Sequence, residues 1–355
     1  MPDAVSGNAS RRRESTRGCA WHAACCSSRK AMSLPRQIVP GSFYKITRRT
    51  AHRQFLLRPD DVTNNTYKYC LAEAAQRFDI EIIATNVDSN HHHTDIFDRY
   101  GRIIEFVQHF HRMLAVAQNA HLGREENFWS SDPPSYVRYD DPSEVLDSVV
   151  YTITNPVKDG LVERVSQWPG VNSLQALLEQ RPMRAVRPAH YFRANGPMPE
   201  VVMLELVIPP ELGDGETVRN ELRKRVAAAE LGFEKERAIT GQRVLGRTAV
   251  LRQSWRAAPK TVAPRGGLRP RHAARRLWRR IEVLRRERLF LEAYRAARLQ
   301  WLAGFDVVFP YGTYWLRRFA GVKVAPAHID VRALEPDTGE PGGAGAERAA
   351  AKVSA

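Results

Sequence analysis

The chain has 355 residues, enough for two domains or for one domain with extensions, and a formal net charge of +15. Its 54 Lys and Arg against 39 Asp and Glu favour a polyanionic partner, nucleic acid first and an acidic membrane second. No run of about 18 apolar residues occurs, so no membrane-spanning helix and no membrane partner is predicted. The four cysteines form no metal-ligand pattern, which argues against a disulfide scaffold and fits a reducing cytoplasm.

The first segment, residues 1–34, is rich in Ser, Arg, Ala and Gly and has no apolar period, so we predict that it is disordered. It lacks the apolar stretch of roughly 7–15 residues that a secretory signal requires. The sequence that begins at Met32 resembles a natural start, so Met32 is a second candidate for the first residue.

The first predicted strand is residues 41–47, in which apolar side chains alternate as in a half-buried strand. It leads into a basic loop that contains Arg48, Arg49 and Arg53. These arginines either hold phosphates or are ordinary solvated loop charges. We predict phosphate contacts.

Three consecutive histidines follow a predicted buried strand over residues 80–85. Turn-forming residues 88–90 separate them from that strand, so the histidines begin the second strand of a hairpin. Because alternate side chains of a strand share a face, His91 and His93 point one way and His92 the other. Two imidazoles so placed can hold one divalent metal ion; the alternative is a polar strand edge.

Two helices are predicted over residues 60–78 and 103–120, where apolar side chains recur at helical spacing. Residues 135–139 are a candidate short strand. The resulting order of strand, helix, strand, strand, helix, strand is that of a ferredoxin-like α+β domain, an antiparallel sheet with helices on one face. Three histidines near the second helix are predicted to be surface or core residues rather than metal ligands: His109, His111 and His121.

A third helix is predicted to begin at Ser143, a capping residue with acids in the first turn after it. If this helix continues, Tyr151 and Asn155 lie four residues apart and share a face. The amide oxygen of Asn155 is then a third ligand beside His91 and His93. Oxygen ligands suit Mg²⁺ or Mn²⁺, although imidazoles also suit Zn²⁺, Co²⁺ and Ni²⁺. We therefore expect these three side chains to hold one Mg²⁺ or Mn²⁺ ion.

The chain changes in composition after residue 175. Residues 176–199 are rich in Pro, Arg and Ala, which predicts a linker or a wrapping segment. Residues 200–330 are predicted to form a basic, mainly helical region that begins with a strand over residues 200–208. Residues 331–355, rich in Gly, Pro and Ala, are predicted to be a disordered tail.

The stretch 269–288 is the most basic part of this region, since many arginines there oppose only Glu282 and Glu287. An apolar seam runs along the same predicted helix through Leu277, Trp278, Ile281 and Leu284. Such a helix binds nucleic acid, an acidic membrane or an acidic partner. We predict nucleic acid, contacted through Arg275, Arg276, Arg279 and Arg280.

Together, these motifs resemble those of the single-tyrosine HUH transposases, in particular the REP-associated tyrosine transposase branch. The family's hallmarks are a Pro-x-His-hydrophobic-His strand, a later Tyr-x-x-x-Asn-Pro-Val-Lys helix and a Trp-Pro pair. Here they correspond to residues 89–93, 151–158 and 168–169, within a resemblance that covers residues 35–175. Two positions depart from the family pattern, because Ser89 replaces the proline and His92 replaces the apolar residue.

The resemblance implies cleavage of single-stranded or hairpin DNA. Tyr151 would attack the scissile phosphate, release a 3′-OH and remain joined to the DNA as a 5′-phosphotyrosine. A free phenol, with a pKa of about 10, needs a nearby cation for this role. Lys158 either pairs with a substrate phosphate or caps its helix.

Two other hypotheses remain open: a DNA-binding protein without cleavage, and a metal-dependent hydrolase that uses water. Relatives act as monomers or dimers, so a homodimer is possible.

Overall fold

A computed structural model describes residues 34–261 and 270–327 of the chain. The predictions made for residues 1–33, including the start at Met32, and for the tail from residue 331 lie outside the described residues. From Gln37 onwards the described chain forms one compact unit. None of the described helices is both long enough and apolar enough to cross a membrane.

The described residues contain nine strands and eight α-helices. The strands are β1 (Ser42–Arg49), β2 (Glu81–Asp88), β3 (His91–Asp98), β4 (Ser135–Tyr139), β5 (Met183–Val186), β6 (Val201–Leu204), β7 (His272–Ala273), β8 (Val308–Phe309) and β9 (Lys323–Val324). The α-helices are α1 (Asp61–Phe78), α2 (Ile103–Leu122), α3 (Pro142–Lys158), α4 (Leu174–Leu178), α5 (Gly215–Thr240), α6 (Arg247–Arg252), α7 (Leu277–Leu302) and α8 (Trp315–Ala320).

The central element is a mixed five-stranded sheet in the order β2-β3-β1-β4-β7. The first four strands pair antiparallel, and β7 adds a short parallel edge to β4. The predicted α+β class is therefore confirmed. The predicted order of strand, helix, strand, strand, helix, strand is also present in β1 to β4 with α1 and α2.

Helices cover both faces of this sheet, which corrects the prediction that they lie on one face. On one face, α1 and α2 pack against apolar strand residues such as Ile46 and Ile96. On the other face, α3 and α5 form a second apolar cluster with Phe43 and Phe97. The strands alternate between two apolar sets, so each face needs a helical layer to exclude water.

Local capping explains where the helices begin. Asp60 accepts a hydrogen bond from the Thr63 backbone N–H at 2.7 Å and begins α1 as predicted. The start of α3 differs from the prediction, because Asp141 is the capping residue. Its carboxylate accepts a hydrogen bond from the Ser143 N–H at 2.9 Å, and Pro142 occupies the first helical position, where its missing N–H is not needed.

The C-terminal half packs onto the same unit. The strands β5 and β6 form an antiparallel hairpin against α1, so part of the predicted linker is ordered structure. The predicted strand over residues 200–208 is limited to β6. Helix α5 packs along α3 and is tied to it by an ion pair at 2.9 Å between Arg225 and Asp147. The predicted domain boundaries stay predictions.

Candidate active site

The histidine strand places two imidazoles on the face of the sheet that α3 covers. His91 and His93 lie next to each other, with ring centroids 4.8 Å apart. Thr47, directly opposite on β1, is hydrogen-bonded through Oγ1 to His93 Nδ1 at 2.8 Å. This contact leaves His93 Nε2 to face away from the sheet. The ring of Tyr151 on α3 lies 5.5 Å from that of His93, so strand and helix motifs meet here.

The predicted ligands leave buried polar atoms without protein partners. Within the described residues, neither His93 Nε2 nor Asn155 Oδ1 makes a hydrogen bond, although both are shielded from water. Such orphaned atoms are rare in folded proteins and call for an ion, a water or a ligand. No group of three His, Cys, Asp or Glu side chains in the described ranges is arranged to hold a metal. A metal here would therefore need the amide oxygen, and the donor set fits one.

Both imidazoles are held in the neutral form that a metal ligand requires. Burial lowers the pKa of His91 to about 4, although the neighbouring Asn155 side chain raises this pKa. Burial also holds the pKa of His93 well below its ordinary value, and the His91 and Lys45 charges act in the same direction. Their ring nitrogens are therefore available as lone-pair donors at neutral pH.

Asp88 is a residue of this site that the sequence reasoning treated only as a turn former. It is the last residue of β2, lies directly opposite His91 and is almost fully buried. Its Oδ2 lies 3.4 Å from His91 Nε2, and its Oδ1 has no partner within the described residues. Burial raises the pKa of the Asp88 carboxyl, and Asp159 raises it further. The sequence signal that could have identified Asp88 as a site residue is its position opposite His91 across a tight turn.

Tyr151 is 40% exposed at the edge of the site, flanked by two lysines. The Lys158 ammonium lies 3.5 Å from the phenolic oxygen. The Lys45 ammonium lies 4.1 Å from the centre of the ring. Lys45 was not a predicted site residue. Only its position between two apolar residues of β1, Tyr44 and Ile46, distinguished it.

The middle histidine, His92, points to the opposite face of the sheet and lies in the core. Its Nε2 is hydrogen-bonded to Nε2 of His111 on α2 at 2.9 Å, and its Nδ1 lies 3.3 Å from the Tyr67 hydroxyl. These partners offset the cost of burying a polar ring where the resembled family has an apolar residue. His92 is therefore not part of the pair that His91 and His93 form on the other face. His111 is a core residue, as predicted.

The predicted phosphate contacts after β1 are divided between the two faces. Arg48 lies on the His92 side of the sheet, with its guanidinium 5.0 Å from the centre of the Trp129 ring. Arg49 and Arg53 line a groove of about 690 Å³ beside His91. Alternation along a strand separates neighbouring side chains, so Arg48 and Arg49 could not both face this groove.

The groove has a second wall that comes from the C-terminal half. Gln242, Gln253 and Thr261 line it opposite Lys158 and His91. The guanidinium of Arg53 donates to the Thr261 hydroxyl at 3.0 Å, which ties this wall to the loop after β1. Of the three candidate metal ligands, His91 lines the groove. Its border contains basic and amide side chains together with two acidic ones, Asp88 and Asp159.

The basic helix differs from its prediction in start and packing. It begins at Leu277, so Arg275 and Arg276 precede it, and Arg269 lies outside the described residues. Arg279 lies 3.3 Å from Glu282. The apolar seam does not pack on the core, because more than half of each of these side chains is exposed: Leu277, Trp278, Ile281 and Leu284. Arg280 is exposed on the same helix.

No family model and no curated protein matches this chain. Solved structures do match. One is the REP-associated tyrosine transposase bound to a REP hairpin, with 17% identity, a TM-score of 0.35 and coverage of 49% of this chain and 97% of that one. Another is a putative transposase from Deinococcus radiodurans R1, with 19% identity, a TM-score of 0.26 and coverage of 32% and 90%. The chain thus has structural matches to a REP-associated tyrosine transposase and to a second, putative transposase.

Proposed function

We propose that this protein is a transposase-like, metal-dependent single-stranded DNA endonuclease and strand transferase, with Tyr151 as its nucleophile. The observation that carries the proposal is the meeting of the two sequence motifs on one face of the sheet. The phenol of Tyr151 lies beside His93 and within 3.5 Å of the Lys158 ammonium. On this proposal the four antiparallel strands with α1 and α2 are a ferredoxin-like HUH domain.

The reaction begins with attack of the Tyr151 phenolic oxygen on the scissile phosphorus. A new phosphorus–oxygen bond forms to the tyrosine, and the bond from phosphorus to the 3′ oxygen breaks. The phenol loses one proton and the departing 3′ oxygen gains one, so the step is balanced. The energy of the broken bond is kept in the 5′-phosphotyrosine, and a later 3′-OH can rejoin the strand without a nucleotide cofactor.

The residues that would hold a Mg²⁺ or Mn²⁺ ion are His91, His93 and Asn155, with the unpartnered oxygen of Asp88 nearby. A divalent ion supplies charge that stabilises the phosphate under attack. Thr47 orients the His93 ring through its hydrogen bond to Nδ1, in the way that ligand histidines are commonly held.

The substrate we propose is single-stranded DNA next to a hairpin. Arg49, Arg53 and Lys158 around the groove are positioned for phosphate contacts, since all three line it beside His91. We also retain the basic helix and the two arginines before it as a second DNA contact, through these residues: Arg275, Arg276, Arg279 and Arg280. Arg48 is not part of this proposal, because it stacks on Trp129 on the other face.

The test uses purified full-length protein, Mg²⁺ or Mn²⁺ and labelled single-stranded hairpin oligonucleotides from the flanks of the gene. We expect a covalent protein–DNA adduct that survives denaturing electrophoresis. Tyr151→Phe and His93→Ala should abolish it. Tyr100→Phe, at a tyrosine that is 58% exposed elsewhere on the surface, should not change it.

Other outcomes would replace the proposal. Cleavage without an adduct indicates a hydrolase that uses water, and tight binding without cleavage indicates a DNA-binding protein only. An adduct that persists in Tyr151→Phe would show that another tyrosine is the nucleophile. The mass of the protein–DNA complex separates the monomer from the predicted homodimer.

A further inference from the structure

A buried lysine lies against the ring of the proposed nucleophile. Lys45 on β1 is only 8% exposed, and lysine is one of the residues least often buried. Its ammonium lies 4.1 Å from the centre of the Tyr151 ring. It also donates to the Ser148 carbonyl oxygen at 3.4 Å. An ammonium has three N–H donors, and the Ser148 carbonyl takes one of them. The face of the Tyr151 ring is the other close contact of this ammonium.

A buried carboxylate lies on the neighbouring strand. Asp95 on β3 is directly across from Lys45 and is almost fully buried. Its two oxygens accept hydrogen bonds from the hydroxyls of Ser148 and Thr152 on α3. Because Tyr151 lies between these residues in sequence, the same contacts fix the turn of the helix that carries the phenol. The carboxylate therefore holds the turn that carries the ring, and its charge favours the protonated form of Lys45.

Other titratable groups around Lys45 come from each element packed against it. They are Lys158 and Tyr151 on α3, Asp95, His91 and His93 on β3, and Tyr139 on β4. Burial lowers the pKa of Lys45 to about 8, Asp95 raises it, and Lys158 lowers it. Lys45 is therefore a cation at neutral pH and loses its proton under mildly basic conditions.

We propose that Lys45 is a positioning residue for the reaction of Tyr151, and that its ammonium stabilises the negative charge that develops on the phenol during attack. The inference rests on the proposed function of Tyr151. A cation over an aromatic face is attracted to its electron density, and this density increases as the phenolic proton leaves. Lys158 lies at the phenolic oxygen and also 4.8 Å from the centre of the ring, whereas Lys45 contacts the ring at 4.1 Å. Neither contact was visible from the sequence.

The alternative is a purely structural role, in which Lys45 only neutralises Asp95. The pH dependence of the reaction distinguishes the two roles. If the ammonium assists the phenol, its contribution is lost as Lys45 loses its proton, so the wild-type rate should stop rising near pH 8. Without Lys45, the rate should show no such levelling.

The first experiment measures single-turnover adduct formation with Mg²⁺ between pH 6 and pH 9.5. We expect Lys45→Met to lower the rate about tenfold at pH 7 and to remove the levelling near pH 8. Lys45→Arg, which keeps the charge, should recover part of the rate. DNA affinity, measured by fluorescence anisotropy, should be unchanged. Lys68→Met, at a half-buried lysine on α1, is the matched control.

Loss of Lys45 leaves the Asp95 carboxylate buried without its cation, so the single variant could unfold. The double variant Lys45→Met with Asp95→Asn removes both charges and keeps the hydrogen bonds to α3 available. If this folded double variant reacts at the wild-type rate with the wild-type pH profile, the proposal is wrong.

A second experiment needs neither metal nor DNA. An arylsulfonyl fluoride probe labels phenols: the phenolic oxygen bonds to sulfur, fluoride leaves and the proton goes to the buffer. We expect the double variant to lower labelling of Tyr151 about tenfold, while Tyr100 serves as the internal control by peptide mass spectrometry. If no DNA adduct forms but this difference is present, the proposed function fails and the Lys45 effect stands. Equal labelling of Tyr151 in both proteins would overturn the role of Lys45.

Discussion

At the scale of single residues, the main feature of the candidate site is a set of buried polar atoms that have no hydrogen-bond partner. His93 Nε2, Asn155 Oδ1 and Asp88 Oδ1 are all buried without partners in the described part of the chain. An unpaired buried polar atom costs on the order of 1–3 kcal/mol, so three of them in one place indicate an arrangement kept for a ligand. The two neutral imidazoles and the amide oxygen together favour a divalent cation.

The corresponding prediction concerns metal affinity. We expect His93→Ala and Asn155→Ala each to weaken Mn²⁺ binding at least tenfold, because each removes a donor that no other described side chain replaces. Isothermal titration calorimetry of the full-length protein measures this directly. His121→Ala, at a histidine outside the site, is the control. Unchanged affinity in both variants would place the metal elsewhere.

Asp88 needs a separate variant, because it acts either on the metal or on the His91 ring. Asp88→Asn keeps the size and one oxygen but removes the negative charge. We expect weaker Mn²⁺ binding with an unchanged fold, measured by the same titration and by circular dichroism. Wild-type affinity in this variant would limit Asp88 to a hydrogen-bonding role.

At the scale of elements, β3 is a strand with two different polar faces. The His91 and His93 face meets α3, whereas His92 meets α2 through its hydrogen bond with His111. Trp129 closes this second cluster by donating from Nε1 to the His111 carbonyl oxygen at 2.9 Å. The strand thus joins the candidate site to the core between α1 and α2.

The His92–His111 contact should be visible as a coupling energy. We expect His92→Leu or His111→Leu alone to lower the free energy of unfolding by about 1–3 kcal/mol, because each leaves the partner imidazole unpaired. The double variant should cost less than the sum of the two single changes. Urea unfolding of the wild type, the two single variants and the double variant provides the double-mutant cycle. Additive losses would mean that the hydrogen bond contributes little.

At the scale of the whole molecule, helix α3, which carries Tyr151, is supported from two sides. One side of α3 faces the sheet, and the other packs against α5, whose residues Val218, Leu222 and Val226 are buried in the same apolar cluster. The wall formed by Gln242, Gln253 and Thr261 adds a further contribution from the C-terminal half to the groove. The region beyond residue 199 therefore contributes directly to the candidate site.

This packing gives a prediction about the proposed domain boundary. We expect Leu222→Ala to lower the free energy of unfolding by about 2–5 kcal/mol and to slow adduct formation, because it leaves a cavity behind α3. Ile239→Ala, at a side chain on the same helix that is 86% exposed, should change stability by less than about 0.5 kcal/mol. A single unfolding transition that shifts as a whole supports one cooperative unit. Two unfolding transitions, of which the substitution shifts only one, would support an independent C-terminal domain.

The features that depend on local periodicity could be predicted from the amino-acid pattern. The alternation of a strand separated His92 from His91 and His93, and helical spacing placed Asn155 one turn after Tyr151. The same patterns predicted α1, α2, β4 and the order of the elements, since hydrophobic spacing and capping residues act within a few positions of the chain. Even the separation of Arg48 from Arg49 follows from alternation, although the phosphate prediction did not use it.

The tertiary structure alone decided which distant residues meet. The approach of Lys45 to the Tyr151 ring depends on how α3 crosses β1, and Asp88 has an unpaired oxygen only because the hairpin buries it. The apolar seam of α7 is exposed although its spacing predicts a buried face. These contacts depend on packing between elements that are far apart in sequence. A local sequence pattern does not specify which element will pack against it.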